Sequence, residues 1–259
     1  MRLTIANLST TLPGTAVQNA VVSISQQVKD DFLQFWPQQD GSTVEIVLKD
    51  LDVRNQEASL ILPEAVIYLG DHYADPLTGI ESVYFGYHTL NHESVPYGFV
   101  YLDICHMRGE AWTVVLSHEV LEVIADPSLD QQRPGPAPMG AISSSGRVLY
   151  DVEVCDPVQG DAYPINGVAV SNFITPAYFN PGAAPTGTNF RGTQLEPFGV
   201  RPGGYFQYKD DEGRKQVDGA RIADGVKAAQ TTLLKYRRCG RRSSGDPRPS
   251  SPAPASVAP

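Results

Sequence analysis

Three side chains capable of metal or acid–base chemistry, His118, Glu119 and Glu122, sit inside an otherwise apolar run from Glu110 to Ala125. Residues four apart share a helix face, so a helix here would point His118 and Glu122 the same way, one turn apart. A helix that is apolar nearly all round is usually buried. A buried carboxylate either takes up a proton or finds a positive partner. Between Arg108 and Arg133 there is no lysine or arginine to serve. A bound metal ion would supply the missing charge, and an imidazole with a carboxylate at this spacing could hold one.

The elements around this run must position it. Residues 1–10 alternate as a strand, and residues 16–36 follow helical spacing through Val17, Ala20, Val21, Ile24, Val28, Phe32 and Phe35 before Pro37. Thr43–Leu48, Ala65–Leu69, Ser82–Tyr87 and Tyr97–Ile104 read as strands, the last two joined by a turn around Asn91 to Pro96. The chemically loaded helix spans about Glu110 to Ala125, and Pro127 stops it. Residues 127–146, rich in proline and serine, read as a loop. Arg147–Cys155 returns to strand alternation, with Leu149, Asp151, Glu153 and Cys155 on one face. Residues 156–202 read as an ordered, irregular wrap. A hairpin about the turn Asp210–Gly213 and a helix over Ala220–Tyr236 follow.

A chain of 259 residues can bury a real core. We expect one domain over 1–236, with its core about 1–180 and a C-terminal hairpin and helix about 200–236, then a disordered basic Ser/Pro-rich tail over 237–259. Formal net charge is −9; residues 235–259 carry six Lys/Arg and one Asp, net +5, which leaves −14 on residues 1–234. An acidic body argues against nucleic acid as a partner. The N-terminus lacks the apolar stretch of a signal peptide, and no segment is long enough to span a bilayer. Three cysteines, Cys105, Cys155 and Cys239, cannot make a disulfide framework and suit reduced thiols in a cytoplasmic protein.

The order helix, strands, strand pair, then a helix with His-Glu-x-x-Glu resembles the zincin-type metallopeptidases. Their active helix carries His-Glu-x-x-His: two zinc-binding histidines, and a glutamate that acts as general base toward metal-bound water. By that resemblance His118 is a metal ligand and Glu119 the catalytic base, while Glu122 stands where the second histidine would be. A carboxylate ligand weakens the ion as a Lewis acid and widens the choice from zinc towards manganese or calcium. The glutamate-type zincins take a third ligand from a downstream Glu, with an Asp a few residues on bonded to the first histidine. Glu153 and Asp156 have roughly that spacing, one residue short. Either Glu153 is the ligand and Asp156 lies behind His118, or Asp156 is the ligand; Asp126 is a further option. Ser117–Glu122 with Ala125-Asp126-Pro127 and Glu153–Pro157 also resembles a group of bacterial and phage proteins described as metallopeptidases, over roughly residues 95–180. The resemblance implies an α+β, zincin-like fold: a mixed sheet on an N-terminal helix and an active-site helix, with an irregular C-terminal segment. It also implies one divalent ion, zinc first, and hydrolysis of a peptide or amide bond in a peptide or protein substrate.

Plainer readings exist for each residue. The helix could be amphipathic with a solvated acidic edge. His88 and His92 read as turn or surface histidines, although in a zincin that strand edge borders the cleft, where either could touch substrate. His106 and His72 read as structural and loop residues. Cys155, between acidic neighbours, should have a raised pKa and no nucleophilic use. Tyr163, Phe173, Tyr178 and Phe179 read as core, with Tyr178 the guess if a tyrosine assists catalysis. The alternative to an enzyme is a zincin-like binding or assembly module without catalysis, in a virion if the phage resemblance holds.

Overall fold

The computed structural model describes residues 1–38, 40–50, 64–72 and 85–219. The chain is α+β. Its main sheet contains β1 (Arg2–Asn7), β2 (Glu45–Asp50), β3 (Ala65–Gly70), β4 (Gly86–Leu90) and β5 (Pro96–Tyr101), in the order β2-β1-β3-β5-β4. Four strands are parallel; β4, at the edge, runs antiparallel to β5. Alternation sorts the side chains by face. Leu3, Ile5, Ala65, Ile67, Leu69 and Val100 meet α1 (Gly14–Gln26) and α3 (Trp112–Ala125) in one core. Ala6, Val66, Tyr68, Phe99 and Tyr101 form the opposite face with Ile104 of α2 (Leu102–Arg108). Each fully buried Leu or Ile contributes about 1.5–3 kcal/mol relative to exposure, so the α1/α3 face anchors the domain.

The helix expected over residues 16–36 is α1 followed by a π-helical segment, Gln27–Phe32. There the Leu33 amide bonds to the Val28 carbonyl at 2.9 Å, five residues back. Buried Gln27 donates from Nε2 to the Ser171 carbonyl at 2.7 Å and to the Tyr163 hydroxyl at 3.1 Å. Strand β5 stops at Tyr101, and Leu102–Ile104, expected as its continuation, open α2 instead. Gly109 ends α2 at φ 68°, a left-handed position that suits glycine. Of the strand expected over Ser82–Tyr87, residues 82–84 lie outside the described residues, and the observed β4 continues three residues further, to Leu90.

A second sheet, in the order β11-β10-β7-β6, joins β6 (Gln132–Pro136), β7 (Arg147–Asp151), β10 (Tyr205–Asp210) and β11 (Gly213–Asp218). Strand β6 corrects the expectation of a loop over 127–146. Its prolines, Pro134 and Pro136, are tolerated because β6 is an edge strand and needs ladder hydrogen bonds on one side only. The strand expected over Arg147–Cys155 ends at Asp151. The following wrap is irregular as expected, but includes a hairpin of β8 (Ala162–Ile165) and β9 (Val168–Ser171) that packs on α3. The expected helix over Ala220–Tyr236 and the basic tail lie outside the described residues. Among the described residues no helix is long and apolar enough to cross a membrane.

Candidate metal centre

Helix α3 is buried from Val114 to Ala125, as its apolar sequence dictates. Its stripe Val115, His118, Glu119 and Glu122, at spacings of three and four, faces the edge strand β4 and the segment that follows β7. Two glycines on the strand side allow the close approach. A Cβ on Gly86 would lie 2.9 Å from Val115 Cγ1 and 3.0 Å from Glu119 Oε1. A Cβ on Gly98, the β5 partner of His88, would lie 3.3 Å from the His88 Cβ. Alternation along β4 then puts His88 on the same face as Gly86, against the helix.

Three segments converge here. His118 Nε2 lies 3.1 Å from Glu122 Oε2 and 3.2 Å from Asp156 Oδ1. His88 Nδ1 is 2.8 Å from Glu119 Oε2, in a hydrogen bond, and 3.6 Å from Glu122 Oε2. Its other nitrogen, Nε2, is 3.6 Å from Glu153 Oε2. The Cys155 amide donates to Glu122 Oε1 at 3.2 Å, tying that carboxylate to the segment after β7. Gly204 lets that segment sit deep: a Cβ there would lie 2.7 Å from the Asp156 carbonyl oxygen. The Glu122 and Asp156 side chains are fully buried, those of His88 and Glu119 are 4% exposed, and that of Glu153, at 20%, marks the open side.

Burial alone would lower both imidazole pKa values, but the carboxylates reverse it. The His88 pKa is pushed up to about 9 by the hydrogen bond to Glu119 and the charges of Glu153, Glu119 and Glu122. That of His118 is raised well above its ordinary value by Glu122, Asp156 and Glu119. The site is therefore strongly cation-seeking. The donor set fits a divalent ion: ligands about 2.1 Å from one ion at tetrahedral or octahedral angles are roughly 3.0–3.4 Å apart, and the contacts of His118 Nε2 match this. Buried His88 Nε2 makes no hydrogen bond among the described residues, so a cation that displaced its proton would find a ligand there. Three sets of side chains could hold an ion: His118, Glu122 and Cys155; His88, Glu119 and Glu122; and Glu122, Glu153 and Asp156.

His118, Glu119, Glu122, Glu153 and Asp156, singled out from sequence, are thus brought together. Asp156 approaches the same His118 nitrogen that faces Glu122, not the other ring nitrogen. Asp126 does not join them; its carboxylate accepts the Gln131 amide at 2.9 Å and the Asp130 amide at 3.3 Å, closing the turn after α3. Sequence reasoning missed His88, read as a turn or surface residue; it is a strand residue, and continuing the alternation of Gly86 through the end of β4 would have placed it. Cys155 was missed as a donor. Its thiol pKa is raised well above the ordinary value by burial and by Glu122 and Asp156. His92 is exposed beside Glu93, and exposed His72 lies 3.0 Å from Asp103. His106 is exposed on α2. Tyr178 is buried, its hydroxyl donating to the Gly199 carbonyl at 2.8 Å, which makes it core as first read and removes it as an assisting tyrosine. No family model, curated protein or solved structure matches this chain.

Proposed function

We infer that the protein is a metal-dependent hydrolase that cleaves a peptide or amide bond. The observation that carries this reading is the convergence of two imidazoles and four carboxylates between α3, the edge strand β4 and the segment after β7. The zincin-like assignment is supported by the antiparallel edge strand β4 lying against the helix that bears His118 and Glu119. His118, Glu122 and Asp156 are the side chains that would hold the ion. Zinc suits the mixed nitrogen and oxygen donors and the nearby thiol; the carboxylate excess also suits manganese, and less well calcium, which avoids nitrogen. When bound, such an ion supplies Lewis acidity toward a carbonyl oxygen and toward water.

The protein's own groups do the rest. His88 holds Glu119 Oε2 by hydrogen bond, which fixes the carboxylate and leaves Oε1 as the oxygen to take a proton from attacking water and pass it to the leaving amine. Burial of Glu119 and Glu122 keeps bulk water from competing for these positions. Substrate would approach from the Glu153 side, along β4.

Glu119→Gln keeps the shape and loses the base. Turnover of an unfolded protein substrate should fall at least about 100-fold, while metal content stays that of the native chain. Full activity in this variant would contradict the assignment of Glu119. The second reading, a non-catalytic binding or assembly module with a closed structural ion, is favoured by the near-complete burial of the cluster. Undetectable hydrolysis by metal-loaded native protein, across several substrates, would favour it.

A further inference from the structure

The cluster contains more donors than one four-coordinate zinc ion can use. An imidazole cannot bind a single ion through both nitrogens, and His88 presents Nδ1, not Nε2, to the Glu122 oxygen that faces His118. Its Nδ1 is engaged by Glu119 at 2.8 Å, while Nε2, buried and without a hydrogen bond among the described residues, faces Glu153 Oε2 at 3.6 Å. With the ring neutral, this is the arrangement of a ligating histidine: the carboxylate holds the proton on Nδ1 and Nε2 offers its lone pair.

Glu122 stands between the two imidazoles. Its Oε1 is tied by the Cys155 amide, and Oε2 is 3.1 Å from His118 Nε2 and 3.6 Å from His88 Nδ1. Oxygens of Glu122, Glu153 and Asp156 lie within 4.8 Å of one another. That spread suits a carboxylate-bridged pair, whose ions sit about 3.5–4 Å apart. Charge points the same way. Four carboxylates and two imidazoles sum to −2 even with both rings protonated. One divalent ion with neutral rings leaves −2 as well, and two bring the six side chains to zero.

We propose that the site is dinuclear, with one ion among His118 Nε2, Glu122 and Asp156 and a second between His88 Nε2 and Glu153, the Glu122 carboxylate lying between them. This rests on the metal-site reading above and replaces a single ion with two. It also assigns Glu119 a positioning role toward His88 alongside its proposed role as base.

The full chain, stripped with chelator and equilibrated with zinc, should contain two ions per chain by elemental mass spectrometry after gel filtration. His88→Ala should retain one. Manganese-loaded native protein should give the paramagnetic resonance spectrum of an exchange-coupled pair, a readout that needs no variant to fold. One zinc per chain in the native protein, unchanged in His88→Ala and with an uncoupled manganese spectrum, would overturn the second ion and leave the single-ion reading standing. No stoichiometric metal in the native chain would overturn both.

Discussion

Glu122 decides the character of the site. A histidine at that position would give a neutral nitrogen ligand, whereas a carboxylate adds charge, accepts the Cys155 amide and still presents one oxygen to both imidazoles. Sequence alone located it, because helical spacing ties it to His118 and because no basic residue is near in the chain. Sequence could not rank Glu153 against Asp156, since that choice depends on where β7 ends, and the strand stops at Asp151, before either residue. Asp71 shows the other use of a buried carboxylate. It accepts hydrogen bonds from the Ser9 hydroxyl at 2.5 Å, the Thr11 hydroxyl at 2.7 Å, and the Thr10 amide and hydroxyl at 2.6 and 2.7 Å. Burial alone would raise its pKa, but these donors hold it well below the ordinary carboxylate range. Its bonds therefore stabilise the fold fully above the unfolded value of about 4 and are lost as pH falls through the folded value. Asp71→Ala should lower stability by about 2–3 kcal/mol at pH 7 by urea denaturation, and the gap from the native protein should narrow below pH of about 4. A gap that does not change with pH would show that the charge is not what matters.

At the scale of elements, the site depends on the distance between β4 and α3. Gly86 sets that distance, because its missing side chain is replaced by Val115 and Glu119 of the helix. Gly86→Ala should push the strand away, cost about 1–3 kcal/mol in stability, and weaken zinc binding by loosening His88; unchanged zinc affinity in a titration would contradict this link. Strands β1, β2, β3 and β5 and helix α3 were legible because hydrophobic alternation and helical spacing are local signals, whereas β4 was met only at Gly86 and Tyr87. The π-helical segment was not, since it follows from burying Gln27 against Tyr163 and Ser171, more than a hundred residues away. Strand β6 was hidden by its prolines, which become acceptable only once the neighbouring strands make it an edge. The early end of β5 reflects the turn into α2, where Asp103 donates its amide to the Asp71 carbonyl at 3.2 Å.

Across the whole molecule, two sheets meet at the segment Val152–Val158, which leaves β7 and passes under α3. Val152, Val154, Cys155 and Val158 are buried in the main core with Leu116, Val120 and Val123 of the helix. That packing fixes Glu153 and Asp156 against the helix despite the mutual repulsion of the carboxylates, so the acidic groups are held in place by apolar neighbours. The α+β class could be read from the mixture of strand and helix signals, but the union of distant segments at one point could only be expected, since no local pattern encodes it. The most direct measurement is anomalous scattering at the zinc edge from a crystal of the native chain grown with zinc. The expected result is a peak at about 2.0–2.2 Å from His118 Nε2 and from oxygens of Glu122 and Asp156. A cluster without a peak at stoichiometric zinc, or one whose carboxylates are neutralised by a lysine or arginine, would contradict it.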